Sequence, residues 1–189
     1  MARTYMIRHG KPSATWGDQD DDPGLDETGR AQARAAAEAL LALPEAERPT
    51  RVVSSPLRRC RETAAPFATA LGVELVIDPM VGEIPTPKAV SHEDRGAWLR
   101  AAFGGRWQEI EGDLDYDQWR RGVAAAVAGY PGAAVFSHYV AINAAVSTAE
   151  GGDLVMGFRP DHCSIQTFDV ADGALILVAR GREASTQVL

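Results

Sequence analysis

Short apolar runs alternate with longer helix-forming stretches along most of this chain. Thr4 to Ile7 is the first apolar run and predicts a strand. Asp18 to Asp22 is acidic, closes on Pro23-Gly24, and predicts a loop. Strong helix formers fill Arg30 to Leu43, and Pro44 and Pro49 bracket the exit of the helix they predict. Arg51 to Ser54 predicts a second strand. Pro56 suits the first turn of a helix running to Leu71, with Gly72 as its stop. Val73 to Ile77 is β-branched, lies between Gly72 and Pro79, and predicts a third strand.

Residues 79 to 112 are less regular, with Pro79, Pro85, Pro87 and the pair Gly104-Gly105. Ser91 can cap a short helix to Phe103, and Asp115 to Ala128 predicts another. "AAVFS", Ala133 to Ser137, is a fourth strand, followed by a helix over Val140 to Glu150. Ile165 to Val170 and Leu175 to Ala179 pair across "ADGA" as a closing hairpin. Strands alternating with helices predict an α/β fold: a three-layer α/β/α sandwich with a largely parallel central sheet and helices on both faces. The expected organisation is one domain over residues 1–189, with an insertion at about 79–132 over the active-site end of the sheet.

Composition narrows this further. Apolar residues make up 46% and charged residues 24% of the 189 positions, which describes a globular chain. A net charge of −7 argues against a nucleic-acid partner while allowing a small local basic pocket. Cys60 and Cys163 are too few for a disulfide framework and fit reduced thiols. No basic segment followed by an apolar one opens the chain, and no apolar run reaches the ~18 residues of a membrane span. The expectation is a soluble cytoplasmic protein with no membrane partner; its oligomeric state is not readable.

Three strands end on unusual residues: the first at Arg8-His9-Gly10, the second at "SSPLRRCRETA" (54 to 64), the fourth at Ser137-His138. In an open parallel sheet, loops at the carboxyl ends of strands converge on one crevice. His9, Arg8, one of the arginines at 58, 59 or 61, and His138 can therefore meet there. Two or three cations with two imidazoles suit a phosphoryl group, and a helix beginning after His138 adds amide donors. Gly10 would leave room for a ligand beside the imidazole. Nearby arginines would disfavour the imidazolium and keep His9 neutral and nucleophilic.

"RHG" after the first strand, "LDETGRAQA" at 25 to 33, "SSPLRRCRETA", the glutamate of "VGEIP" and "FSH" before a helix together resemble the histidine phosphatase superfamily, with its phosphoglycerate mutase-like fold. The likeness runs in order from residue 4 to about 145. It implies that His9 is the nucleophile that becomes phosphohistidine, and that Arg8, Arg59 and His138 hold the phosphate. Arg59 is the family arginine by its place four residues after the serine of "SP". Glu83 matches the acid that protonates the leaving oxygen, which requires burial to offset the pull of the arginines. Glu109, Glu111 and Asp117 are alternatives. No metal and no cofactor are implied. The substrate would be a small phosphorylated molecule, with a phosphoprotein also open.

The chain departs from the family pattern in two places. Tyr139-Val140 follows His138 where small residues are usual. Lys11-Pro12 follows "RHG", with Trp16-Gly17 farther on, where mutases carry an acidic residue and then a Trp-Asn pair. The second departure leans towards phosphatase over a mutase-type phosphotransferase, while the first leaves room for a silent phosphate-binding module. His92 and His162 are expected to be ordinary polar residues, although His162 precedes a strand and can approach the site. Trp98, Trp107 and Trp119 are expected to pack in the core; otherwise they would line the mouth with Arg95, Arg100 and Arg106. Other chemistries lack their residues. Pro66 and Asp169 stand where a cysteine phosphatase would carry its arginine, "HEDRG" has no second histidine for a zinc helix, and no glycine-rich phosphate loop precedes Lys11.

Overall fold

A computed structural model describes residues 2–14, 20 and 22–184. The Trp16-Gly17 pair and most of the acidic loop lie outside the described residues. The elements are β1 (Ala2–Arg8), α1 (Glu27–Leu41), β2 (Arg51–Ser54), α2 (Arg58–Leu71), β3 (Leu75–Ile77), α3 (Arg95–Phe103), α4 (Tyr116–Ala128), β4 (Ala133–Ser137), α5 (Tyr139–Ala149), β5 (Ile165–Ala171) and β6 (Ala174–Ala179). Single 3-10 turns occupy Pro79–Val81 and Trp107–Glu109. Most boundaries fall within a few residues of those expected. α1 starts earlier, at Glu27, because Asp26 caps it by accepting from the Gly29 amide at 2.6 Å.

The six strands lie in the order β3-β2-β4-β1-β5-β6. β3, β2, β4 and β1 are mutually parallel, and β5 and β6 run antiparallel at one edge. The sheet is thus mostly parallel, as the alternation of strands and helices suggested. Tyr5 and Ile7 pack with Val52 and Phe136 under α1 and α2, through Ala37, Leu40, Ala64 and Phe67. Met6 between them points the other way, with Val53 and Val135, onto Val127 of α4 and Ile142 of α5. Period-two alternation in a strand covered on both faces explains why β4 reads as a continuous apolar run.

Connectivity sets where the site lies. From β1 the chain steps through α1 to β2 and through α2 to β3, always towards one edge, with both helices on one face. It then reverses: α4 and α5 lie on the other face as the chain returns to β4 and goes on to β5. Right-handed crossovers require this change of face. The loops leaving the neighbouring strands β1 and β4 therefore part to opposite faces and open a crevice between them. Arg8 is in register with Ser137, so His9 and His138 emerge side by side.

One expectation is corrected. Residues 116–128, assigned to the insertion, form α4 in the outer layer of the sandwich itself, with Ala124, Val127 and Ala128 in the main core. Residues 84–110 contribute a smaller cluster, in which Ile84, Leu99 and Trp107 pack against Tyr139 and Val140 of α5.

Gly10 serves a different purpose from the one expected. A Cβ there would meet the Gly29 carbonyl oxygen at 2.6 Å, and a Cβ on Gly29 would meet the Lys11 carbonyl oxygen at 2.1 Å. The two glycines let the first turn of α1 press against the loop after β1, and the Asp26 amide donates to the Lys11 carbonyl at 3.0 Å. The space saved at Gly10 is filled by backbone, not by ligand. Gly10→Ala and Gly29→Ala are each expected to lower stability by about 1–3 kcal/mol, since backbone cannot swing aside. At Gly24→Ala the nearest atoms are those of the Glu62 and Arg58 side chains, not backbone, and the change is expected to cost less. Urea unfolding of the three variants checks the ranking.

Candidate active site

Three strand ends bring the site together. β1 delivers Arg8 and His9, and the His9 amide donates to the Ser137 carbonyl at 3.0 Å. The Ser55 amide donates to Phe136, fixing the β2 end beside β4, and α2 then places Arg59 inward one turn on. Arg58 pairs with Glu62 at 2.7 Å on the surface and Arg61 is exposed, so Arg59 alone of the three is buried here. Thr63 ties the two arms: its hydroxyl accepts from the Gly10 amide at 2.9 Å and donates to the Arg59 carbonyl at 2.6 Å.

The ring centroids of His9 and His138 are 5.3 Å apart, edge to face. His9 Nδ1 lies 2.8 Å from the Gly10 carbonyl oxygen, which can only accept. In the neutral ring the proton therefore sits on Nδ1, and Nε2 carries the lone pair. Arg59 Nη2 is 3.3 Å from His138 Nδ1, and Glu83 Oε2 is 3.8 Å from that same nitrogen. His138 is fully buried and the Glu83 side chain is 5% exposed. Of the alternative acids, Glu109 accepts from the Arg106 amide and Asp117 pairs with Arg120 and Arg121, both away from the histidines; Glu111 is exposed.

Arg8 is held from both sides. Its guanidinium donates to the Pro160 carbonyl at 2.9 Å and stands 5.2 Å from the centroid of the Tyr139 ring. The bulky residue after His138 thus forms a cation–π floor under Arg8. The Lys11-Pro12 departure has its own setting: Lys11 pairs with Asp26 at 2.9 Å and Pro12 bridges to Leu25, fastening the loop to α1.

Two further residues approach. His162, expected to be ordinary, has its ring 5.8 Å from that of His9. The signal was its place just before β5, the strand paired with β1. Arg95, at the start of α3, acts electrostatically on Glu83 and His138 and belongs to the site's charge environment. His92 is exposed. Trp107 is buried, with Trp119 against it and Trp98 against Tyr116, so all three tryptophans pack in the smaller cluster.

Burial dominates the electrostatics. It pushes His9 and His138 well below the ordinary imidazole value, and the arginines add to this. Neutrality of His9 therefore comes first from desolvation and second from the guanidiniums, whereas the sequence pointed to the guanidiniums alone. His162 is lowered to about 4, again chiefly by burial. Arg8 is lowered to about 10 by burial. Burial raises Glu83 above the ordinary carboxyl value against the opposing pull of Arg59, Arg95 and Arg8. Burial thus acts in the direction a proton donor needs, against the pull of the surrounding cations.

The described residues include no helix long and apolar enough to cross a membrane. They include no cluster of three or more His, Cys, Asp or Glu that could hold a metal ion.

A buried group of guanidiniums and neutral imidazoles at the switch point of a mostly parallel sheet is chemistry that suits a phosphoryl group. The family model of the histidine phosphatase superfamily (branch 1) matches residues 4–182, and the chain belongs to that superfamily. A protein of Photorhabdus laumondii subsp. laumondii named "Probable phosphoglycerate mutase GpmB" is 33% identical over 90 residues, covering 44% of this chain. The match spans only 39% of that relative's length. The crystal structure of phosphoserine phosphatase from Entamoeba histolytica, in complex with 3-phosphoglyceric acid, superposes with a TM-score of 0.74 at 19% identity, covering 96% of this chain and 98% of that one. A mycobacterial glucosyl-3-phosphoglycerate phosphatase gives 0.72 at 21% identity, covering 97% and 100%. At these identities the structural likenesses establish the fold.

Burial of the imidazoles makes stability depend on pH. In the unfolded chain His9 and His138 return to about 6.5 and bind protons that the folded state does not. Stability is expected to fall as pH drops below about 6.5, and less steeply in His138→Gln. Glu83 acts in the opposite sense: its folded value lies above the unfolded 4.5, so it costs stability as pH rises through that window. Glu83→Gln is therefore expected to raise the melting temperature at neutral pH. Thermal unfolding from pH 5 to 8 checks both signs, and a Glu83→Gln variant that melts lower at neutral pH would contradict the second.

Proposed function

We propose that this protein hydrolyses a phosphomonoester through a phosphohistidine on His9. The supporting observation is the His9 tautomer: the Gly10 carbonyl takes Nδ1–H and leaves the Nε2 lone pair free in a buried, cationic pocket. Arg8 and Arg59 hold the dianion and neutralise charge on the transferring group, with His138 beside them. Nε2 attacks phosphorus, the bond to the leaving oxygen breaks, and Glu83 gives its proton to that oxygen. Water then attacks the phosphoenzyme and returns a proton to Glu83; the P–N bond breaks and its electron pair returns to Nε2. This chemistry draws on guanidinium charge and calls on no metal. Residues 79–112 would help select the leaving group. A small phosphorylated substrate fits this site, and phosphoglycerate and phosphoserine appear among the ligands of the similar structures. A cytoplasmic location fits the two free thiols, Cys60 and Cys163.

The likeness to a mutase over 90 residues supports a second reading, in which the phosphoenzyme passes its group to another hydroxyl instead of water. An aryl phosphate and a panel of phosphomonoesters separate the two. Hydrolysis releases inorganic phosphate, whereas a mutase moves phosphate between positions of one acceptor. His9→Ala is expected to reduce phosphate release on the order of a thousandfold or more, and Glu83→Gln by on the order of a hundredfold to ten-thousandfold. A His9→Ala variant that keeps most activity would remove His9 as nucleophile.

A further inference from the structure

His138 has partners on both ring nitrogens, and they are of different kinds. On the Nδ1 side stands Arg59 Nη2 at 3.3 Å, and a guanidinium N–H can only donate. On the Nε2 side stands Ser55 Oγ at 2.8 Å, with Cys60 Sγ at 3.3 Å. The Cys60 thiol lies 3.4 Å from the Ser137 carbonyl, to which it donates. Ser55, Cys60 and His138 are all fully buried, so no solvent competes for these positions.

We propose that Ser55 is a positioning residue for His138: its hydroxyl accepts the Nε2 proton and so keeps the Nδ1 lone pair turned towards Arg59 and Glu83. Reversing the tautomer would set an Nδ1–H against the Arg59 N–H and leave Nε2 as an acceptor beside the serine. The carboxylate facing that Nδ1–H, Glu83 Oε2 at 3.8 Å, is beyond hydrogen-bond reach. With Nδ1 accepting, one N–H of Arg59 is engaged and the guanidinium is pre-aimed.

The same hydroxyl matters once an anion arrives. A phosphoryl dianion draws the Arg59 N–H away and favours a proton on Nδ1, since opposite charge stabilises an imidazolium. The ring can then donate through Nδ1 to a phosphoryl oxygen only if Nε2–H still has an acceptor, and Ser55 supplies it in both states. Ser55 stands four residues before Arg59, so the β2-to-α2 turn that aims the arginine also orients the second histidine.

The catalytic consequence rests on the phosphatase reading above, while the tautomer itself does not. Nitrogen NMR of protein labelled in histidine reads the tautomer, and steady-state kinetics reads the consequence. In the free wild-type protein near neutral pH, His138 is expected to show protonated Nε2 and unprotonated Nδ1. In Ser55→Ala that assignment should reverse or average, with kcat for aryl phosphate hydrolysis falling about tenfold. Ser55→Thr, which keeps the hydroxyl, should restore both readouts. If the alanine variant fails to fold, Ser55→Cys takes its place, being nearly isosteric and a weak acceptor. A wild-type His138 protonated on Nδ1 would overturn the assignment. So would a Ser55 variant without the hydroxyl that keeps the wild-type tautomer, or one with an altered tautomer and unchanged kcat. A wild-type protein that turns over no phosphomonoester would count against the phosphatase reading alone, leaving the NMR result to decide the role of Ser55.

Discussion

Arg8, Arg59, His9 and His138 share one desolvated space with one carboxyl group. Removing cations from water is costly unless something compensates, and here the compensation is of three kinds. The imidazoles stay neutral, the Arg8 guanidinium spreads over Tyr139 and the Pro160 carbonyl, and the Arg59 guanidinium meets the His138 lone pair. None of these groups carries the counter-charge that two guanidiniums call for, and Glu83 is itself pushed towards its neutral form. The site thus carries an excess of positive potential, and the proposed phosphoryl chemistry rests on that excess.

The sheet explains how such a pocket can be held rigidly. His9 and His138 leave adjacent strands in register, and their loops part to opposite faces. The β2 end lies on the other side of β4 and brings Ser55 and Arg59 against the same histidine. Second contacts then tighten each arm: Thr63 between Gly10 and Arg59, and the Gly10–Gly29 approach between the nucleophile loop and α1. Backbone carbonyls orient Arg8 and His9 and a buried hydroxyl meets His138, while the Arg59 guanidinium rests against His138 Nδ1.

Much of this was legible in the chain. Short apolar runs alternating with helix formers fixed the α/β class, and three strand ends followed by His or Arg located the crevice, because parallel strands deliver their carboxyl ends to one edge. The choice of Arg59 over Arg58 and Arg61 needed the resemblance, since their spacing alone leaves all three open. Packing was the illegible part. α4 looked like part of an insertion because Pro- and Gly-rich sequence precedes it, and its place in one buried cluster with Met6 and Val135 reveals a core helix. Gly10 suggested room for a ligand, whereas the space is taken by another segment's backbone. Tyr139 looked like a narrower wall and is a platform for Arg8. The weight of burial over charge at His9 and Glu83 could not be judged without knowing how completely each is enclosed.

The central claim is that His9 Nε2 faces a phosphoryl group held by Arg8 and Arg59. The most direct measurement is a crystal structure of the protein soaked with orthovanadate, a mimic of the transferring group. The expected result is vanadium bonded to His9 Nε2, with oxygens on the Arg8 and Arg59 guanidiniums and one turned towards the Glu83 carboxyl. Vanadate bound away from His9, or a His9 ring turned so that Nδ1 faces the metal and Gly10 loses its hydrogen bond, would contradict the account.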